Sequence, residues 1–212
     1  YAPGQELPAS DCAVLPSVYR KEGSNLADAL SGMYAFAVWD VNQHQLILSR
    51  DPAGQKPLFF AHLPGQGIAF ASEIRALLEH PAVQRTMNLT SLRKYLAFDF
   101  VPGEGTIYEG IERLRPGETV IWNNGQLTRQ PREMNHWQRS PIDTLKGASD
   151  RLFSTLEQAV QARLMADVPV GVFLSGGLDS TAIVAALGTL GVAESIATFS
   201  VGFDDNAFNE AH

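Results

Sequence analysis

Residues 170–180 read VGVFLSGGLDS. An apolar run ends at Leu174, two glycines follow Ser175, and Asp179-Ser180 precedes the next apolar stretch. A short apolar run bounded by turn residues fits a buried strand. Gly176 and Gly177 carry no Cβ, so backbone N–H groups in the turn can approach a ligand closely. A helix starting near Asp179 adds N–H groups without intrahelical acceptors and the positive end of a helix dipole. Strand, glycine turn and helix N-terminus together make a site for an anion such as phosphate. Ser175 and Ser180 bring hydroxyls that can join it. Asp179 is discordant, because a carboxylate repels phosphate. A magnesium ion bridging phosphates reconciles the two, since hard cations take carboxylate oxygens. No Lys follows the glycines, so this is not a Walker A loop, and the third glycine of the dinucleotide fingerprint is absent. The plain alternative is a strand-to-helix turn capped by Asp179 or Ser175 that binds nothing.

The flanks give the loop its context. Residues 150–167 predict a helix, with Leu152, Phe153, Leu156, Val160 and Leu164 at three-to-four spacing. Residues 168–174 predict a buried parallel strand, 180–190 a second helix, and 195–201 another strand. Strand, helix, strand at this spacing is a βαβ unit and implies a parallel sheet. Upstream, residues 130–149 are polar, hold Pro131 and Pro141 and show no period, which marks a linker.

Residues 1–129 follow a different pattern. Val14, Leu15, Val18, Tyr19, Leu26 and Leu30 can share a helix face, with Ser10 near its N-cap. From Met33 to Trp39 both alternating faces are apolar, which predicts a strand covered on both sides. A turn at 40–43 and an apolar run at 46–49 complete a hairpin, and 58–62 with 67–71 predict a second. Ser72 is placed to cap a short helix through Glu79. Residues 89–100 read as a helix with Leu92, Tyr95 and Leu96 inward, and Asn123-Asn124-Gly125 signals a third hairpin. Successive hairpins predict antiparallel sheet, so the fold class is α+β followed by α/β.

Composition limits the function. In 212 residues, 16 Lys and Arg face 23 Asp and Glu, a formal charge of −7, which argues against a nucleic-acid surface. One cysteine forms no internal disulfide and no multi-cysteine zinc site, so a cytoplasmic setting is the default. No window approaches the ~20 apolar residues needed to cross a bilayer. The start at Tyr1, without a signal-peptide pattern, and the stop soon after a strand suggest a piece of a longer chain.

Several segments now carry a resemblance. SGGLDS at a strand end resembles the PP-loop of ATP pyrophosphatases, which hold pyrophosphate there. RLMADVPVGVFLSGGLDSTAIVA at 163–185 and TFSVGF at 198–203 resemble the start of the synthetase domain of glutamine-hydrolysing asparagine synthetases. SDCAVL at 10–15, GMYAFAVWD at 32–40, RDPAGQKPLFF at 50–60 and FASEIRAL at 70–77 are similar to the second half of a class II glutamine amidotransferase domain. The resemblance implies a partial, antiparallel-sheet Ntn-type amidotransferase domain over 1–129. A linker at 130–149 and the start of a parallel-sheet PP-loop nucleotide-binding domain over 150–212 follow.

It also implies roles. Leu174 matches a nucleotide contact before the loop; Ser175, Gly176, Gly177, Asp179 and Ser180 match the pyrophosphate loop; Val201 matches a second nucleotide contact. Magnesium would meet Asp179 indirectly, through pyrophosphate. Asp11 matches the carboxylate that pairs with the α-ammonium of glutamine, a role suited to a charge-assisted hydrogen bond; on residues alone it is as good a helix cap. Cys12 follows it and reads as a packed residue, because the family's nucleophile is an N-terminal cysteine, expected before residue 1. No catalytic residue is therefore expected in this chain. The glutamine-carboxylate Arg and the Asn-Gly oxyanion segment are expected upstream too, and the adenylation Glu and Lys downstream. Asn209 stands where many relatives have Asp. Arg50 and Asp51 either brace a turn or face the domain interface, and Trp39, Trp122 and Trp137 read as packing residues. The five histidines lack metal-ligand spacing.

The implied activity is ATP-dependent synthesis of asparagine from aspartate and glutamine through an acyl-adenylate. Two rivals stand beside it: a relative that amidates another carboxylate or closes a β-lactam, and a non-catalytic nucleotide-binding module. The expected partners are the small-molecule substrates, with no nucleic acid and no membrane. The oligomeric state is open, a homodimer included.

Overall fold

The computed structural model describes residues 11–131 and 144–202, with only the backbone of Asp11. Ser10, Trp137, His136, residues 132–143 of the expected linker and Asn209-Glu210 lie outside the described residues. The chain divides into two compact units, Tyr1–His136 and Trp137–His212.

In the first unit, a 3-10 turn (Asp11–Val14) leads into α1 (Leu15–Glu22) and a second 3-10 segment (Gly23–Ala29). Pro16 sits in the first turn of α1, where its missing N–H has no partner to lose. Gly23 at φ +59° ends that helix in a conformation that suits glycine. Four strands then build one antiparallel sheet in the order β1 (Ala35–Asp40), β2 (Gln45–Arg50), β6 (Glu118–Asn123), β7 (Gln126–Pro131). A second sheet has the order β4 (Gly67–Ala71), β3 (Phe59–Leu63), β5 (Ile111–Arg113). The three expected hairpins form: Ala35 pairs with Arg50, Phe59 with Ala71, and Asn123 with Gln126. At the last, Asn124 (φ +47°) and Gly125 (φ +81°) both take left-handed backbone, as a two-residue turn matching strand twist requires. The sequence reading missed β5.

Side-chain alternation stacks these parts. Leu46, Leu48 and Val120 point from the first sheet onto Phe60 of the second. The opposite face of the first sheet, with Phe36 and Ile47, packs on Leu26 and Ala27 of the 3-10 segment. The opposite face of the second sheet, with Ala61 and Ile111, packs on Leu77 of α2 (Ile74–Leu78). The layers thus run helix, sheet, sheet, helix. Central β2 is buried from Leu46 to Arg50, because apolar layers cover both its faces. Each fully buried Leu, Ile, Val or Phe in these layers contributes roughly 1.5–3 kcal/mol through burial.

Three expectations in this unit are corrected. On β1, Ala37 and Trp39 are exposed, so that edge strand is covered mainly on its Phe36 side. Helix α2 begins after Glu73, whose extended backbone forms the N-cap, and Ser72 does not cap it. Helix α3 (Leu89–Phe98), capped by Asn88 through a 2.9 Å bond from the Ser91 N–H, turns Ser91 inward and leaves Tyr95 and Leu96 exposed. The reason is close approach: a Cβ on Gly105 would lie 3.2 Å from Ser91 Oγ, so only a small side chain fits there.

In the second unit, α4 (Leu145–Gln161) starts at a Thr144 cap that accepts the Gly147 N–H at 3.1 Å. It is followed by β8 (Gly171–Phe173), α5 (Leu178–Thr189) and β9 (Ala197–Phe199). Strands β8 and β9 pair in parallel, Phe173 opposite Phe199. Val160, Ala186 and Leu187 form the core with Val172 and Ile196 packed against them. The helices cover one face of the pair, so Phe173 and Phe199 stand exposed on the other, and the expected fully buried strand is half covered. Leu152 faces outward as well. Both ends of the expected linker are in regular structure: Gln130 and Pro131 pair with Thr119 and Glu118, and 145–149 begin α4.

Candidate functional site

The first unit holds a loop built around two buried charged side chains, Arg50 and Asp51. Asp51 accepts main-chain N–H groups from Ala53 (3.1 Å), Gln55 (2.9 Å) and Lys56 (2.9 Å). Arg50 donates to the carbonyls of Lys56 (2.7 Å), Gly54 (2.5 Å) and Leu114 (2.7 Å). Burial pushes the Asp51 carboxyl up, but the amides of Gln55, Lys56, Tyr34 and Ala53 outweigh it and hold the group below its ordinary value of 3.8. Of the two roles open from sequence, these residues brace the turn. A Cβ on Gly54, at φ +63°, would meet Pro116 Cγ at 2.9 Å and the Arg50 guanidinium at 3.1 Å, so the turn needs glycine.

That loop presents Lys56 to a cavity of about 500 Å³, whose wall also includes Cys12, Gly32, Met33 and Ser72. Asp11 lies next to it in the chain, in the 3-10 turn, but its side chain is outside the described atoms. Cys12 is exposed rather than packed, because the short 3-10 turn carries it to the surface. Trp39 is half exposed and leans on Trp122, ring centroids 6.3 Å apart. Among the described residues no three His, Cys, Asp or Glu side chains converge as a metal set. No described helix is long and apolar enough to cross a membrane.

The second unit gathers the other predicted residues at the C-terminal ends of its two parallel strands. Leu174 leaves β8 with its N–H on the Phe199 carbonyl at 2.8 Å. Gly176 turns at φ +84°, and Gly177 caps α5. The loop closes on itself. The Gly177 N–H donates to Ser175 Oγ (3.4 Å), which lies 3.2 Å from Ser180 Oγ, and Ser180 in turn donates to the Gly177 carbonyl (3.0 Å). The Ser175 N–H also donates to Ser180 Oγ at 3.2 Å. Both hydroxyls are thus engaged inside the loop. The donors facing outward are the N–H groups of the first turn of α5, which no intrahelical carbonyl reaches. Asp179 sits exposed in that turn. Val201 follows β9 and is exposed beside the same strand ends.

Ser175, Gly176, Gly177, Asp179 and Ser180 therefore share one turn, with Leu174 at its base and Val201 on the adjacent strand end. Two participants escaped the sequence reading. Thr181 donates its hydroxyl to the Gly177 carbonyl at 2.9 Å, and Ser200 donates to the Leu174 carbonyl at 2.7 Å. Thr181 was visible as one more hydroxyl after the glycines. Ser200 depends on strand pairing across 26 positions, which local sequence does not encode.

A family model described as a glutamine amidotransferase domain matches residues 5–135, and one described as asparagine synthase matches 151–212. The chain is similar to glutamine-hydrolyzing asparagine synthetase 1 of Bacillus subtilis (strain 168), 34% identical over 208 residues covering 95% of this chain and 31% of that protein. It is similar to a putative glutamine-hydrolyzing asparagine synthetase of Mycobacterium tuberculosis (strain ATCC 25618 / H37Rv), 37% identical over 205 residues covering 91% and 30%. It is also similar to the amidase chyE of Penicillium rubens, 28% identical over 223 residues covering 96% and 32%. The chain spans about a third of the length of these curated relatives.

Proposed function

The chain belongs to the family of glutamine-hydrolysing asparagine synthetases, and on that footing we propose that the natively encoded protein makes asparagine from aspartate, glutamine and ATP. The observation that carries this reading is the order of two matches on one chain, an amidotransferase domain followed by an asparagine synthase segment. The helix–sheet–sheet–helix layers support an Ntn-type amidotransferase unit, and the glycine turn at parallel strand ends supports the start of a PP-loop unit.

In this reading Asp11 holds the α-ammonium of glutamine, and ammonia released there attacks the activated acceptor. The first turn of α5 receives the pyrophosphate end of ATP: its outward N–H groups and dipole favour anionic oxygens. The left-handed turn at Gly176 (φ +84°) supports a close backbone approach. Leu174 and Val201 flank the nucleotide. Aspartate's side-chain carboxylate attacks the α-phosphorus, pyrophosphate leaves, and ammonia then displaces AMP, a far better leaving group than hydroxide. Asp179 would meet magnesium indirectly, through the phosphates, and the ion would supply neutralisation of their charge. A cytoplasmic setting belongs to the same reading.

The test uses the natively encoded protein and amide-labelled glutamine, with labelled asparagine and pyrophosphate expected in equal amounts. Asp11→Ala should raise the KM for glutamine while sparing synthesis from free ammonia. Asp179→Ala should abolish ATP–pyrophosphate exchange. Unchanged exchange in that variant would remove the PP-loop assignment. A second reading keeps the same two segments and amidates another carboxylate; label found in a product other than asparagine would select it.

A further inference from the structure

The register Phe173↔Phe199 makes Ser200 the next partner of Leu174. In a continued parallel ladder, Leu174 would donate to the Phe199 carbonyl and accept from the Val201 N–H. The first bond is present at 2.8 Å. The second is replaced: the Ser200 hydroxyl, not the Val201 N–H, donates to the Leu174 carbonyl, at 2.7 Å. Among the described residues the Val201 N–H then has no acceptor. Val201 stands exposed at the C-terminal end of a parallel strand, where open α/β sheets bind ligands, one strand from the glycine turn.

We propose that Ser200 is a positioning residue of the nucleotide site. Its hydroxyl takes the ladder bond on Leu174 and so leaves the Val201 N–H open to the base of the nucleotide. This rests on the reading of the loop as an ATP site. The chemistry selects the base. A main-chain N–H requires an acceptor, and ring N1 of adenine accepts, whereas the same position of guanine is an N–H donor. Ser200 also fixes Leu174 from its carbonyl side, so the base-binding strand end and the phosphate turn are held in one register.

The test is equilibrium binding of ATP and GTP, with magnesium, to the natively encoded protein and three variants. In Ser200→Ala the Leu174 carbonyl is left open and the Val201 N–H can close onto it. ATP binding should weaken roughly two- to tenfold, the range of one hydrogen bond, while GTP binding stays constant, so the ATP preference falls by the same factor. Ser200→Thr keeps the hydroxyl and should bind as the parent does. Asp179→Ala should alter ATP and GTP alike, because it acts at the phosphates. Ser200 is exposed, so its removal leaves the fold intact. Unchanged ATP affinity in Ser200→Ala, equal weakening of both nucleotides, or a Ser200→Thr variant behaving like Ser200→Ala would overturn the proposal alone. Absence of binding of either nucleotide to the parent protein would overturn the ATP reading and the proposal with it.

Discussion

Replacing Asp51 by Asn removes one oxygen and almost no volume, so its effect isolates the carboxylate. Asp51 is fully buried; Oδ1 accepts from the Ala53 and Gln55 amides, Oδ2 accepts the Lys56 N–H at 2.9 Å, and the Tyr34 amide also bonds the carboxylate. An Asn keeps Oδ1 on the first two and sets its NH2 against the Lys56 N–H. The opposite flip sets the NH2 against the Ala53 and Gln55 amides, so either orientation opposes at least one buried donor. The variant loses a charge-assisted bond of about 1.5–3 kcal/mol and leaves buried donors unpaired at about 1–3 kcal/mol. These terms overlap, so the expected loss is about 3 kcal/mol, with Asp51→Ala losing about 4. The assay is urea unfolding followed by Trp39 and Trp122 fluorescence, both in the first unit, in a Trp137→Phe background. The sign with pH is defined as well. The folded carboxyl titrates below 3.8, so its stabilisation is fully present above about pH 4–5 and is lost as pH falls through its lowered value. The gap between parent and Asn variant should stay constant from pH 5 to 8 and shrink below pH 4. A loss under 0.5 kcal/mol at pH 7, or a gap that widens in acid, would refute the idea that the carboxylate holds this loop.

Other outcomes follow from the same geometry. Arg129 bridges Glu104, Glu112 and Glu118, the last with a 3% exposed side chain, and lies 5.5 Å from the centroid of Phe60. Arg129→Met should cost about 3 kcal/mol, because it strands a buried carboxylate, whereas Arg85→Ala at the exposed Glu79 pair should cost under about 0.5 kcal/mol by the same unfolding assay. Tyr19 donates to Asp40 at 2.6 Å, and burial with that bond pushes its phenol up to about 12. An ultraviolet titration should show one phenol ionising near that value, absent in Tyr19→Phe. The stabilisation from this raised group is present below about pH 10 and lost as pH rises toward 12. Gly125→Ala puts a Cβ 2.7 Å from Gln66 Cβ at φ +81° and should lower stability by about 1–2 kcal/mol, read as a reduced urea midpoint.

The legible features were those encoded by near neighbours. Asn124-Gly125 specified its turn because few residues tolerate left-handed backbone, and the hairpins followed from period-two apolar runs. The glycine turn and its predicted residues from Leu174 to Ser180 also fall within a few positions of one another, whereas Val201 reaches them only through strand pairing. Errors arose where distant parts decide exposure. Tyr95 and Leu96 are apolar on a helix, yet Gly105 brings the chain against Ser91 and turns the helix so that they face outward. Strand β5 is too short for a periodic signal and exists because β3 offers an open edge.

Sequence by itself therefore determined the hairpin-rich first part, the strand–turn–helix of the second, and the glycine loop with its serines and Asp179. Those depend on backbone freedom and on periods of two and near four, which are local properties. Only the tertiary structure decided that Arg50 and Asp51 are buried braces, that Ser175 and Ser180 satisfy each other within the loop, and that Ser200 reaches Leu174. Each depends on which hydrogen-bond donors and acceptors meet once distant segments pack and water is excluded, and that pairing belongs to the folded chain as a whole.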